Sequence, residues 1–248
     1  SDIELRQVSN GRVTLDGTVD TLLFGGRTTA GKNTNIRIVC FNPGQFDVIG
    51  GVDLVTPEPD EVLIMIVTDS HIKRGVDGDP NVPGAISGTR YYYSSPDILR
   101  QFVDAVNLHQ PDLVLHLGDM CDLPSDWTGF NTIWNGINAG IRKEVTIGNH
   151  DFDDTTYSQL TAILGVDSNP EIAGSKFNHT FNLNDNVRVI MVDSSFNSLD
   201  EHGSHYADIH IHSDAIAWIQ GILETSTQTN IIIATHVGPH LDNYFNLT

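Results

Sequence analysis

Hydrophobic residues in this chain gather into short, nearly continuous runs, separated by longer stretches in which they recur every three or four positions. The runs cover residues 62–67, 113–117, 145–147, 187–192 and 231–234 and are rich in Val, Ile and Leu. Runs of this length and composition predict strands buried on both faces, as in the sheet of an α/β protein. Between them lie helical patterns. Ser95-Pro96-Asp97 supplies a capping serine and a first-turn proline, Leu99, Phe102, Val103 and Val106 share one face, and Pro111 stops the chain. Residues 155–164 place Leu160, Ile163 and Leu164 together and end at Gly165, while 213–223 carry a serine cap and a stripe of Ile216, Ile219, Ile222 and Leu223.

The first part of the chain has a different texture. Residues 12–16 and 35–41 alternate polar and apolar side chains, 22–24 is a short apolar run, and Gly/Asn/Thr-rich turns separate them. This predicts short antiparallel strands. Thr56-Pro57-Glu58-Pro59-Asp60-Glu61 forms a stiff polar joint, so the expected division is a small β-rich segment over 1–58 and a main α/β domain over 59–248. Strands that alternate with helices in the larger part give the fold class α/β. A Gly/Pro/Asp-rich loop over 72–94 ends in Arg90-Tyr91-Tyr92-Tyr93, a length of irregular chain that is often functional.

Each apolar run ends in a residue able to bind a metal. The run at 62–67 leads into Asp69-Ser70-His71, the run at 113–117 into Gly118-Asp119-Met120-Cys121-Asp122, and the run at 145–147 into Gly148-Asn149-His150-Asp151. The last two lead into Asp193 and His236. Ligands of an open α/β sheet collect at the carboxyl ends of its strands, so these side chains converge on one edge. Carboxylates, imidazoles and an amide carbonyl are the ligand set of a two-metal hydrolytic site. Glycine at 118 lets the backbone turn close to an ion, and the two oxygens of Asp119 can bridge two ions. Asp122 and Asp193 are expected to orient ligands through hydrogen bonds rather than to touch an ion. Asn149 can complete a coordination shell without adding charge, His150 can face the substrate, and Asp151 can hold the His150 ring in its protonated form. His109, His116, His179 and His202 are expected to be structural or solvated, and His210 and His212 to lie on the open face of a short strand.

Composition narrows the partners. A formal net charge of −19 over 248 residues opposes binding to a nucleic-acid backbone, yet it is compatible with a small phosphorylated substrate once cations reverse the local potential. No apolar stretch is long enough to span a bilayer, and the chain opens without a signal-peptide pattern, so no membrane is expected and the compartment is left open. The two cysteines, Cys40 and Cys121, define no disulfide framework.

Taken in order, Asp69-x-His71, Gly118-Asp119-x-x-Asp122, Gly148-Asn149-His150-Asp151 and His236 resemble the calcineurin-like metallophosphoesterase family over roughly residues 62–240. The resemblance implies a two-layer β-sandwich flanked by helices and a dinuclear site of Mn, Fe or Zn. It implies that Asp69 and His71 bind one ion, that Asp119 bridges, and that Asn149 and His236 bind the other. His150 would be the catalytic histidine, with Asp151 as its partner. The activity implied is hydrolysis of a phosphate ester by a metal-bridging hydroxide. The stretch from Arg90 through the following helix to Pro111-Asp112 resembles members acting on phosphodiesters and nucleotide diphosphate derivatives, with Arg90 on a phosphate and Tyr91 stacked on a base. The family pattern closes with Gly-His-x-His, which the residues after His236 do not contain, His240 being the one further histidine; the resemblance leaves two readings, a protein that continues past Thr248, which is the favoured expectation, or a site short of ligands. Two other readings compete: a non-catalytic metal-site or assembly module of a larger particle, and a nuclease of the same fold.

Overall fold

A computed structural model describes residues 6–8, 12–14, 35–41, 61–72, 95–121, 123–203 and 210–237. Strands β1 (Arg6–Val8) and β2 (Arg12–Thr14) form an antiparallel pair; β2 falls within the alternating stretch 12–16, whereas β1 precedes the strands expected from the pattern. The strand β3 (Asn35–Phe41) departs from that expectation. It runs parallel to β4 (Glu61–Val67), in register from Asn35 opposite Glu61 to Phe41 opposite Val67. Alternation identifies a strand but not its partner, and β3 extends the main sheet from the far side of the boundary expected at residue 58.

The sheet continues in parallel through β5 (Leu113–Leu117) and β6 (Lys143–Thr146), in the order β3-β4-β5-β6. A second sheet has the order β7-β8-β9, where β7 (His179–Asn182) is antiparallel to β8 (Val187–Val192) and β9 (Asn230–Thr235) is parallel to it. Alternate residues explain why the sheets stack. Val62, Ile64, Leu113 and Leu115 project from the first sheet onto Val187, Val189, Met191, Ile232 and Ala234 of the second. Their neighbours Leu63, Met65, Val67 and Val114 point the opposite way, into a core shared with α1 (Ser95–His109) and α2 (Trp127–Trp134). Each such side chain, fully buried, contributes roughly 1.5–3 kcal/mol. On the outside of the second sheet, Ile190, Val192 and Ile231 meet Ile219 and Ile222 of α4 (Ser213–Thr225). The result is the two-layer sandwich flanked by helices.

Local signals account for most of the helix ends. The helix α3 (Tyr157–Leu164) starts with a capping box between Thr156 and Gln159 and stops at Gly165, which takes the left-handed conformation. In α4 the cap is His212, whose Nδ1 accepts from Asp214 N at 3.1 Å, so the serine is the first helical residue and not the cap. Its buried stripe is Ala215, Ile219 and Ile222, which leaves Ile216 40% exposed rather than in the core. Cys121 is buried in the core shared with α1 and α2.

Candidate metal centre

The strands β4, β5, β6, β8 and β9 all point their carboxyl ends at one edge of the sandwich, and the segments that follow them build the site. After β4 the chain pairs with the segment after β5: Asp69 N donates to Gly118 O at 3.0 Å, His71 N to Asp119 O at 2.9 Å, and Ile72 N to Met120 O at 2.8 Å. To make these bonds and still turn their side chains inward, three non-glycine residues adopt left-handed backbones, with φ of 53° at Asp69, 40° at His71 and 54° at Asp119. Each such residue costs of order 1–3 kcal/mol, strain that persists where surrounding structure imposes it and that clusters at functional sites.

The side chains meet around Asp119. Its Oδ2 lies 3.5 Å from His71 Nε2 and 3.4 Å from His236 Nε2, and His71 Nε2 is 3.7 Å from Asp69 Oδ1. Ligand atoms of Asp69, Asp119 and His236 all fall within 4.8 Å of one another. Asn149, buried, follows Gly148, whose Cα faces the same point: a Cβ there would collide with Asp119 Oδ1 and come within 2.9 Å of His236 Cδ2. At Gly118, where φ is +89°, a Cβ would stand 2.5 Å from Gly148 N. The two glycines therefore let two loops close on a space rimmed by carboxylates and imidazoles. This donor set suits Mn, Fe or Zn, so the residues present fit a metal centre.

Hydrogen bonds select the ring nitrogens. His236 Nδ1 donates to Leu117 O at 2.7 Å, which leaves Nε2 as the nitrogen facing Asp119. His116, fully buried, has its Nε2 2.9 Å from Ser70 Oγ, and that hydroxyl gives its one proton to Met120 O at 3.1 Å. The His116 proton therefore sits on Nε2, and the ring ties the Asp69 loop to the Asp119 loop from below. Sequence gives no hint of this link, because His116 stands inside an apolar run like any structural histidine.

Electrostatics follow from crowding. Burial raises the carboxyl of Asp119, but the hydrogen bond and charge of His236, the charge of His71 and the amide of His150 together hold it below its ordinary value. Asp69 is lowered in the same way, by His71, Thr68 and His236 acting against burial. Burial would depress His236, but the carboxylates of Asp119 and Asp69 push it up to about 9. In His116 burial wins, lowering the ring to about 3 and keeping it neutral.

Asp151 occupies a different position from the one expected. Its carboxylate accepts four backbone N–H bonds: Met120 at 2.7 Å and Cys121 at 3.2 Å on Oδ1, Gly148 at 2.9 Å and Asp119 at 3.0 Å on Oδ2. It fastens the two ligand loops together instead of holding the His150 ring. Burial and the neighbouring charge of Asp119, partly offset by those amides, push it up to about 7. The ring of His150 is held by Asp153, whose Oδ2 lies 2.8 Å from Nδ1, and the backbone N–H of His150 donates to Asp119 Oδ1 at 2.9 Å. The His150 ring stands edge-on to His71 with centroids 5.2 Å apart.

Asp193, fully buried, accepts from Ser195 N at 2.9 Å, Ser175 Oγ at 2.7 Å and His202 Nε2 at 3.1 Å. It organises the chain after β8, and the adjacent Ser194 Oγ accepts from Val237 N at 3.0 Å, next to His236. Asp122, Arg90, Tyr91 and His240 lie outside the described residues. No described helix is long and apolar enough to cross a membrane.

The profile for calcineurin-like phosphoesterases matches residues 62–247. Among solved structures, a dimetal phosphatase from Danio rerio superposes with a TM-score of 0.56 at 15% identity, covering 71% of this chain and 70% of that one. At that identity the likeness speaks for the fold. No curated protein matches the chain.

Proposed function

Because the chain belongs to the calcineurin-like phosphoesterase family, and so to the metal-dependent phosphoester hydrolases, we propose that this crevice hydrolyses a small phosphodiester or nucleoside diphosphate derivative. The observation that carries the assignment to these residues is the placement of Asp119, one carboxylate oxygen shared between His71 Nε2 and His236 Nε2. Asp69 and His71 would hold one ion, Asn149 and His236 a second, with Asp119 placed to serve both. When bound, two such ions supply a water of lowered pKa and neutralise charge that develops on the phosphoryl oxygens.

The chain's own groups do the rest. Asp151 keeps the loops that carry Asp119 and Asn149 in register, through amides from both. His150 stands at the rim, its Nδ1 facing Asp153 and its Nε2 left for the substrate. From there it donates a proton to the departing oxygen as the phosphorus–oxygen bond breaks. Arg90 and Tyr91 are assigned to the leaving portion of the substrate, a phosphate for the cation and a base for the ring. The net charge of −19 favours small substrates over nucleic-acid chains.

An assay of monoesters, diesters and nucleoside diphosphate derivatives with Mn²⁺ tests the reading. Diesters or diphosphate derivatives are expected to give the highest kcat/KM, with D119N reduced at least about a hundredfold, the scale of losing a central charge-stabilising group. Wild-type rates in D119N would end the assignment.

A further inference from the structure

We infer that Asp153 is a positioning residue for the reaction, fixing the ring of His150 so that Nε2 faces the departing oxygen. This rests on the assignment of His150 made above. The turn from His150 to Phe152 is a 3-10 helix closed by Phe152 N to Asn149 O at 3.2 Å and Asp153 N to His150 O at 3.1 Å. Residues three apart in a 3-10 turn eclipse one another, which brings the Asp153 carboxylate beside the His150 ring. The resulting contact is 2.8 Å between Oδ2 and Nδ1. The adjacent carboxylate does not serve instead, since Asp151 is buried and both its oxygens are engaged by backbone amides of the two ligand loops.

The turn itself is anchored at both ends. The backbone N–H of His150 is bonded to Asp119 Oδ1, and the ring of Phe152 stacks on His202 with centroids 5.0 Å apart. With its backbone fixed by the Asp119 carboxylate, the His150 ring keeps its rotational freedom about the side-chain bonds. Asp153 removes that freedom. It also holds a proton on Nδ1, so the nitrogen presented outward is always Nε2. During turnover Nε2 gives its proton to the leaving oxygen and regains one from solvent, while Nδ1 keeps its own.

The experiment compares D153A and D153N with wild type and H150A on two diesters, one with an alkyl leaving group and one with p-nitrophenol. An alkoxide needs the proton, whereas p-nitrophenolate departs without it. D153A is expected to lower kcat about tenfold on the alkyl diester, with KM and bound metal nearly unchanged, and to leave the p-nitrophenyl rate close to wild type. D153N keeps a carbonyl that accepts from Nδ1, so it is expected to recover part of the loss. Asp153 is exposed, and the Asn variant guards against a folding defect. Equal losses on both substrates, loss of bound metal, or an unchanged alkyl rate in D153A would overturn the inference. An H150A variant with full activity on the alkyl diester would instead overturn the assignment of His150 itself.

Discussion

At Asp119 a carboxylate only 2% exposed meets two imidazoles, on a backbone held in the left-handed region and hemmed by Gly118 and Gly148. Nothing larger than a hydrogen fits on the Gly148 side. G148A is therefore expected to displace Asp119 or His236, costing about 1–3 kcal/mol of stability and most of the metal affinity. Thermal melts and metal titration of that variant check this, and wild-type values for both would refute the packing. The same crowding sets a pH dependence in protein stripped of metal. Asp151 and His236 are both raised, so the stability they contribute is complete below 3.8 and 6.5 and is lost as pH climbs through about 7 and about 9. Asp69 and Asp119 are lowered, so their contribution is already present above 3.8 and does not change in that window. In chelator, the melting temperature should fall as pH rises from 6.5 to about 9, and added Mn²⁺ should restore it, a cation taking the place of the protons. A melting temperature that climbs over this range would contradict the charge balance.

Elements differ in how plainly their residues announce them. The five buried strands and α1 are legible because their patterns, unbroken apolar runs and a clear three-to-four repeat, have one geometric solution each. The ligand motifs are legible for a related reason: a strand end fixes where the next residues stand. The helix α2 is not legible. Its sequence, WTGFNTIW, is poor in helix formers, and Asp126 makes no side-chain cap bond. It forms because Trp127, Phe130, Ile133 and Trp134 are buried against the sheet and α1, a tertiary cause invisible to local propensity. Phe130 and Trp134 also stand edge-on to His116, with centroids 5.3 and 5.6 Å away. F130A is thus expected to cost about 3–5 kcal/mol in chemical denaturation and to loosen the His116–Ser70 link. A loss below about 1 kcal/mol would mean that α2 is not held by this core. The partner of His150 was hidden for a similar reason. Adjacent Asp151 looks the natural choice, and only the 3-10 turn decides that Asp153 lies beside the ring.

On the scale of the molecule, two sheets share one apolar interface while helices cover their outer faces, and every ligand loop leaves at the same end. The β-rich start of the chain was expected to stand apart. Its third strand joins the main sheet instead, its backbone groups pairing in parallel along the edge that β4 offers. The acidic balance of the chain acts on partners rather than on fold, and cations held at that one edge would give a negative protein a local site for a negative substrate. That organisation has a direct test in the metal-to-chain ratio of purified protein, measured by mass spectrometry for wild type and D119N after saturation and removal of free ions. About two ions per wild-type chain are expected, with a clear loss in D119N, since one carboxylate would serve both. A wild-type chain that retains no ion, or a D119N chain that retains as many as wild type, would contradict it.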